Sequence, residues 1–214
     1  MKGFLRAILI LALITVVAGC SKAGAPAATK GPIVVGSKID TEGSLLSQMI
    51  ILLLRDKGFQ VVDKSQFGAT PIVRKAIASG EIDIYPEYTG NGAFFFEGTD
   101  PGIWKDAQKG YDEAKRLDKE KNNIVWLQPA PANNTWAIAV PKSLADKEGL
   151  KTLDDLAAYA TRGGYLKLIG SEEFVTSPAA LPAFQKAYGF ALRQDQLVTV
   201  SGGDTAQTEK AAAE

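Results

Sequence analysis

The sequence from Pro32 onward predicts an α/β fold, and three observations carry that prediction. Short runs rich in β-branched residues recur, as in "IVVGSK", "FQVVD" and "EIDIY". The segments between them place apolar residues at helical spacing, and glycine or proline stands at nearly every junction. The first half therefore reads β-α-β-α-β, the element order of an α/β domain.

Each element has its own justification. Ile33 to Lys38 is a short β-branched run with Gly36 near its end, as expected of a buried parallel strand. "TEGSLLSQMIILLLRDKGF" follows, with Leu45, Leu46, Met49, Ile50, Leu53 and Leu54 forming the expected apolar face and Gly58 the stop. "FQVVD" is the second strand. Thr70 reads as an N-cap with Pro71 at the first helical position, and Gly80 closes that helix. "EIDIY" is the third strand, with Ile82 and Ile84 on one face and Asp83 and Tyr85 on the other. Gly110 to Lys121 is a charged amphipathic helix with a solvated face. "NIVWLQPAPANNTWAIAV" is extended and interrupted by Pro129 and Pro131; it suits a crossing between two lobes, or a plain surface loop.

The second half alternates in the same way, with strand "TWAIAV", helix "TLDDLAAYA", strand "YLKLIG", helix "PAALPAFQKAYG", strand "LVTVSGG", then a helix from Thr205. That last segment is still helical in character at Glu214. A second lobe of this type would add further strands, so the chain is expected to be a fragment or a truncated product.

The opening segment stands apart. Met1 to Cys20, "MKGFLRAILILALITVVAGC", has a basic start and an apolar core too short for a comfortable transmembrane helix. Residues 1–19 are read as a signal peptide. "VAGC" resembles the lipobox of bacterial lipoproteins, in which the cysteine is acylated and becomes the new N-terminus; the alternative is an ordinary signal whose cysteine is incidental. Residues 20–31 then form the lipidated Cys20 and a flexible tether of small residues.

Composition excludes several chemistries. Lysine plus arginine and aspartate plus glutamate number 24 each, which leaves no basic field to hold nucleic acid. With no histidine and one cysteine, Ser-His-Asp and Cys-His nucleophile systems, disulfides within the chain and the usual zinc ligand sets are all out of reach. No metal, catalytic residue or cofactor is expected.

Ligands of open α/β sheets sit beyond the carboxyl ends of strands. Three such ends carry polar or aromatic residues: Ser37-Lys38, Tyr85 to Asn91, and Asn133 to Trp136. Convergence of Lys38, Tyr88 and Trp136 would set a cation beside two aromatic faces. Each such face attracts a quaternary ammonium group by about 0.5–2 kcal/mol. Lys38, Asn91 or Asn134 could then receive a carboxylate or hydroxyl at the ligand's other end. Tyr85 is as much a structural candidate as a lining one. Phe94 to Phe96 are expected to pack a helix on the sheet, and Trp104 and Trp126 to serve as packing. Asp83 and Glu87 could form an acid–base pair, though structural hydrogen bonding is the better reading. "GSKIDTEG" lacks the arrangement of a phosphate loop.

"VGSKIDTEGSLLSQM", "GEIDIYPEYTGNG", "PAPANNTWAIAV", "SEEFVTSPAALPAFQKAYGF" and "GGDTAQTEKA" together resemble substrate-binding proteins of osmoprotectant ABC importers, the glycine betaine/choline type, from Ile33 to the end. The resemblance implies a two-lobed periplasmic-binding-protein-like fold with a hinge, lobe 1 spanning 32–132 and an incomplete lobe 2 spanning 133–214. It also implies a non-enzymatic, monomeric binding protein for a quaternary ammonium osmolyte. Such a protein would be lipid-anchored in the periplasm or on the outer face of the cytoplasmic membrane, and would deliver its ligand to an ABC permease. Tyr88 matches a cage tyrosine, Trp136 stands where another is usual, and Lys38 matches a basic residue near the ligand carboxylate. Asn91 replaces a common threonine, Asn134 an aspartate, and Ser177 the arginine that would grip a carboxylate. Two other readings stay open: a sensing lipoprotein without a transport role, and a hydrolase using Asp83 and Glu87.

Overall fold

Alternation of strand and helix at the start of the chain produces a β-α-β unit. The computed structural model describes residues 30–200 and 205–213; the leader, Cys20 and the tether up to residue 29 lie outside the described residues, while Lys30 and Gly31, expected in the tether, open the first strand instead. Gly31–Glu214 forms one compact unit by itself. Strand β1 (Lys30–Lys38) leads through helix α1 (Thr41–Asp56) to strand β2 (Phe59–Gly68), which lies beside it. The two run in the same sense, since Gly31 lies against Gln60 at one end and Ile39 N–H donates to the Gly68 carbonyl at the other. Helix α2 (Thr70–Ala78) follows, with Pro71 in its first turn. The N-cap is Ala69, one residue before the expected Thr70, and it offers no side-chain acceptor.

The expected third strand does not form a ladder. Residues 81–85 touch β1 through one isolated parallel bridge, Val35 to Ile84. The Asp83 carboxylate accepts from Val34 N–H at 2.7 Å, so a side chain takes a donor that a neighbouring backbone would otherwise use. Ile82 is nonetheless buried, in a core with Val73 and Ala76.

Helix α1 also departs from expectation. Its buried positions are Gly43, Ser47 and Ile51, while Leu45, Met49 and Leu53 are 62%, 52% and 65% exposed. The buried row follows the i, i+4, i+8 spacing of one helix face, with two small residues, Gly43 and Ser47, beside Ile51. Hydrophobic periodicity identifies the helix, while Leu46, Ile50 and Leu54 of the same apolar set are only half-buried.

A short helix α3 (Gly92–Phe95) and helix α4 (Ala107–Asn122) complete the first half. Phe96, Ala114 and Leu117 are buried together, with Phe96 stacked on Trp104 at 6.0 Å. Gly92 permits that packing, because a side chain there would collide with the Trp104 ring. Of the three phenylalanines expected in the core, Phe94 is 37% exposed. Helix α4 is more than a solvated face: Asp118 is fully buried and paired bidentately with Arg74.

After α4 the chain from 123 to 141 carries no regular helix or strand, so the expected strand "TWAIAV" does not form. Helices α5 (Lys142–Glu148) and α6 (Leu153–Thr161) follow, the latter started by a reciprocal capping box between Thr152 and Asp155. Strand β3 (Leu168–Ser171) runs parallel to β4 (Leu197–Val200), with Leu168 opposite Leu197. Two helices lie between them: α7 (Glu172–Thr176), which precedes the expected helix, and α8 (Leu181–Tyr188), which lies within it. Pro178 disfavours helical backbone at the residue before it, and Ser177 is accordingly extended, at φ −65° and ψ 129°. Helix α9 spans Thr205–Ala213. The hydrophobic clusters around Val73 and Phe96 draw only on residues up to Trp126, and those around Phe174 and Leu156 only on residues from Ile138 onward.

Candidate ligand-binding site

The segment after Ile84 turns on Glu87. Its Oε1 accepts from Lys38 Nζ, Tyr88 N–H and Asn91 Nδ2, each at 2.8 Å, and its Oε2 accepts from the Tyr85 hydroxyl at 2.9 Å. The Lys38 and Glu87 side chains are only 7% and 5% exposed. A carboxylate so buried is stable only when its lone pairs are filled, and here four donors fill them.

Behind this hub lies a second charged centre. Asp118 accepts from Arg74, from Trp126 Nε1 at 2.6 Å and from Asn122 Nδ2 at 2.8 Å, while the Arg74 guanidinium lies 4.4 Å over the Phe95 ring. Burial works against the charge on Arg74, but the bond to Asp118 holds it protonated beyond its ordinary range. Burial, reinforced by the Glu87 carboxylate and opposed by Arg74, pushes the Tyr85 phenol well above its usual value.

Of the residues singled out by sequence, Lys38, Tyr88 and Asn91 meet in this one cluster. The Lys38 ammonium stands 4.4 Å from the Tyr88 ring centroid, so the protein's own cation already covers one face of that ring. Lys38 does not stand free for a ligand carboxylate, because Glu87 holds its charge; the Asn91 amide is likewise turned to Glu87. Asn134 is placed against α1, donating to Glu42 Oε2 at 2.7 Å. Trp136 is 37% exposed and makes an edge contact with Phe174 at 5.9 Å. All five line one cleft of about 2760 Å³. That is far wider than the roughly 300–1,000 Å³ of a small-molecule pocket, so shared lining alone does not make them one site.

Two buried hydroxyls narrow the search. Among the described residues, the Tyr88 hydroxyl and Thr70 Oγ1 are buried side-chain atoms without a hydrogen-bond partner, and both residues line the cleft. Leaving such a group unpaired costs about 1–3 kcal/mol. Burial raises the Tyr88 phenol above its ordinary range; the Asn134 amide opposes this and the Glu42 and Asp40 carboxylates add to it. Those groups lie close enough to act on the phenol's ionisation, although the geometry grants it no bond. Thr70 is 3% exposed and opens α2, where the helix dipole favours negative charge. By sequence Thr70 reads only as a helix cap; the signal for more is its position directly after the second strand, at a helix N-terminus. Ser177 ends α7, its N–H donating to the Glu173 carbonyl, and it does not line the cleft.

The family described as the substrate binding domain of ABC-type glycine betaine transport systems matches residues 31–214. The glycine betaine-binding protein YehZ of Escherichia coli is 56% identical over 189 residues, covering 88% of this chain and 62% of that protein. A glycine-betaine-binding protein of Pseudomonas aeruginosa is 30% identical over 175 residues, covering 79% of this chain and 55% of that protein. Among solved structures, apo YehZ from Escherichia coli superposes with a TM-score of 0.55 at 57% identity, over 86% of this chain and 65% of that one. A glycine betaine/carnitine/choline ABC transporter structure gives a TM-score of 0.53 at 21% identity, over 81% of this chain and 62% of that one, a likeness of fold alone. The chain thus spans less than two thirds of the length of the relatives it matches.

Proposed function

This chain belongs to the family of substrate-binding domains of ABC-type glycine betaine transport systems, with a periplasmic-binding-protein-like fold, and from that premise we propose that it binds a small quaternary ammonium osmolyte and presents it to an ABC permease. The observation that carries the reading is the pair of unpartnered buried hydroxyls, Tyr88 and Thr70, on a cleft that also exposes the Trp136 ring. A trimethylammonium group donates no ordinary hydrogen bond, so ring faces are its natural partners. Tyr88 offers the face that Lys38 leaves open, and Trp136 offers a second.

The anionic end is assigned differently from the sequence-based expectation. With Lys38 neutralised by Glu87, a carboxylate is better served by the Thr70 hydroxyl and N–H at the start of α2. Asn134 remains a lining residue, while Asn91 acts through Glu87. Asp83 and Glu87 are both spent on structural hydrogen bonds, which argues against an acid–base pair. We read the lobes as 32–132 and 133–214, which hydrophobic clusters that do not cross the connector support.

Calorimetric titration with glycine betaine, choline, carnitine, ergothioneine and proline tests this reading. Saturable binding of trimethylammonium compounds, with none of proline, is expected; no binding of any quaternary ammonium compound would refute it. The same proposal has a monomer held through acylated Cys20 on the outer face of the membrane. Cys20→Ala should then release the protein, and a processed variant still in the membrane fraction would count against the anchor.

A further inference from the structure

The start of α2 already has a carboxylate beside it. Thr70 N–H points at Glu173 Oε2, 103 positions along the chain, at 3.4 Å. That distance is at the loose end of hydrogen bonding, so the contact holds charge near the helix terminus without satisfying it. Thr70 Oγ1, beside the same N–H, has no partner. Glu173 is well anchored for this position. It sits in the first turn of α7, whose N-cap Ser171 accepts from Phe174 N–H at 3.1 Å, and the buried Phe174 ring carries the edge contact with Trp136. Among the described residues, no lysine or arginine forms an ion pair with Glu173.

We propose that Glu173 is a specificity-determining residue: an internal competitor for the anion position at Thr70 that discriminates against carboxylate-bearing ligands. The inference rests on the quaternary ammonium reading above for its ligands, but its electrostatics do not. Two carboxylates cannot share one helix N-terminus without strong repulsion, so a ligand carboxylate must displace Glu173 before it reaches Thr70. A cationic ligand lacking a carboxylate meets no such competitor and gains a nearby negative charge. The proposed cation face (Trp136) and the competing anion (Glu173) are tied together through Phe174, the residue next to Glu173.

The test has two arms on the full chain. In the first, the Thr70 amide resonance of ¹⁵N-labelled protein is followed during titration with sodium acetate, against sodium chloride at matched ionic strength. Glu173→Gln should give a saturable acetate-specific shift about tenfold tighter than wild type, and adding Thr70→Val should abolish it. In the second, affinities for glycine betaine and choline are compared. Glu173→Gln should raise the betaine-to-choline affinity ratio about tenfold, with choline unchanged or weaker. An acetate response identical in wild type and Glu173→Gln overturns the proposal, as does an unchanged ratio when both ligands bind. An acetate response with neither ligand bound would uphold the role of Glu173 at Thr70 and reject the quaternary ammonium reading instead. Glu173→Gln is nearly isosteric; should it fail to fold, Glu173→Ala read in the same two arms decides between the same outcomes.

Discussion

On one side of the cleft Lys38, Tyr88 and Asn91 are fixed by hydrogen bonds to one buried carboxylate, Glu87; on the other, Trp136 leans on the Phe174 ring and Asn134 on an exposed bond to Glu42. The first group is assembled before any ligand arrives. Its cost, a desolvated ion pair, is met in folding rather than in binding. Trp136, 37% exposed, keeps more freedom to adjust to the cation proposed for it. The contrast teaches that the same residue types serve as scaffold or as contact according to how completely their polar atoms are satisfied.

The largest expected effect strikes the scaffold. Glu87→Ala leaves the Lys38 ammonium buried without its counter-ion and strands three other donors. Such a loss should cost about 3–5 kcal/mol of stability, read from urea denaturation; a loss below about 1 kcal/mol would mean that the hub is not a scaffold. Next come the aromatic truncations. Tyr88→Ala and Trp136→Ala should each weaken a trimethylammonium ligand by about 1–3 kcal/mol, measured by calorimetry. Only Tyr88→Ala should also lower the unfolding midpoint, and equal destabilisation by both would erase the distinction between the two sides.

Thr70→Val sharpens the comparison further. Removing an unpaired buried hydroxyl should leave stability unchanged or raise it by about 1 kcal/mol, while weakening a carboxylate-bearing ligand by roughly tenfold, about 1.4 kcal/mol. Loss of both stability and binding would show that the hydroxyl is structural. The smallest effect belongs to Asn134→Ala, whose bond to Glu42 is exposed. It should change stability by less than about 0.5 kcal/mol, and a larger loss in denaturation would place Asn134 with the scaffold.

Several features are legible in the chain because they depend on near neighbours. Pro71 in the first turn of α2 and Gly80 just beyond its end each act over a few residues. The aromatic character of Tyr88 and Trp136 needs only their side-chain types. Less is legible where partners are distant. "EIDIY" has a strand's pattern, yet its backbone pairs with β1 at a single bridge, and the Asp83 side chain takes the next donor, Val34 N–H. The short helix α7, which the sequence reading does not contain, ends at Ser177 because Pro178 follows it.

By itself, then, the sequence determined the α/β alternation, the helices with clear punctuation, the absence of histidine chemistry and a set of aromatic and polar candidates. Tertiary structure alone decided which row of α1 is buried, that Glu87 claims both Lys38 and Asn91, and that Thr70 meets Glu173 across the chain. The physical reason is range. Backbone preferences and caps are settled within about a turn of helix, whereas the state of a charge or hydroxyl is set by whichever groups folding brings within hydrogen-bond reach.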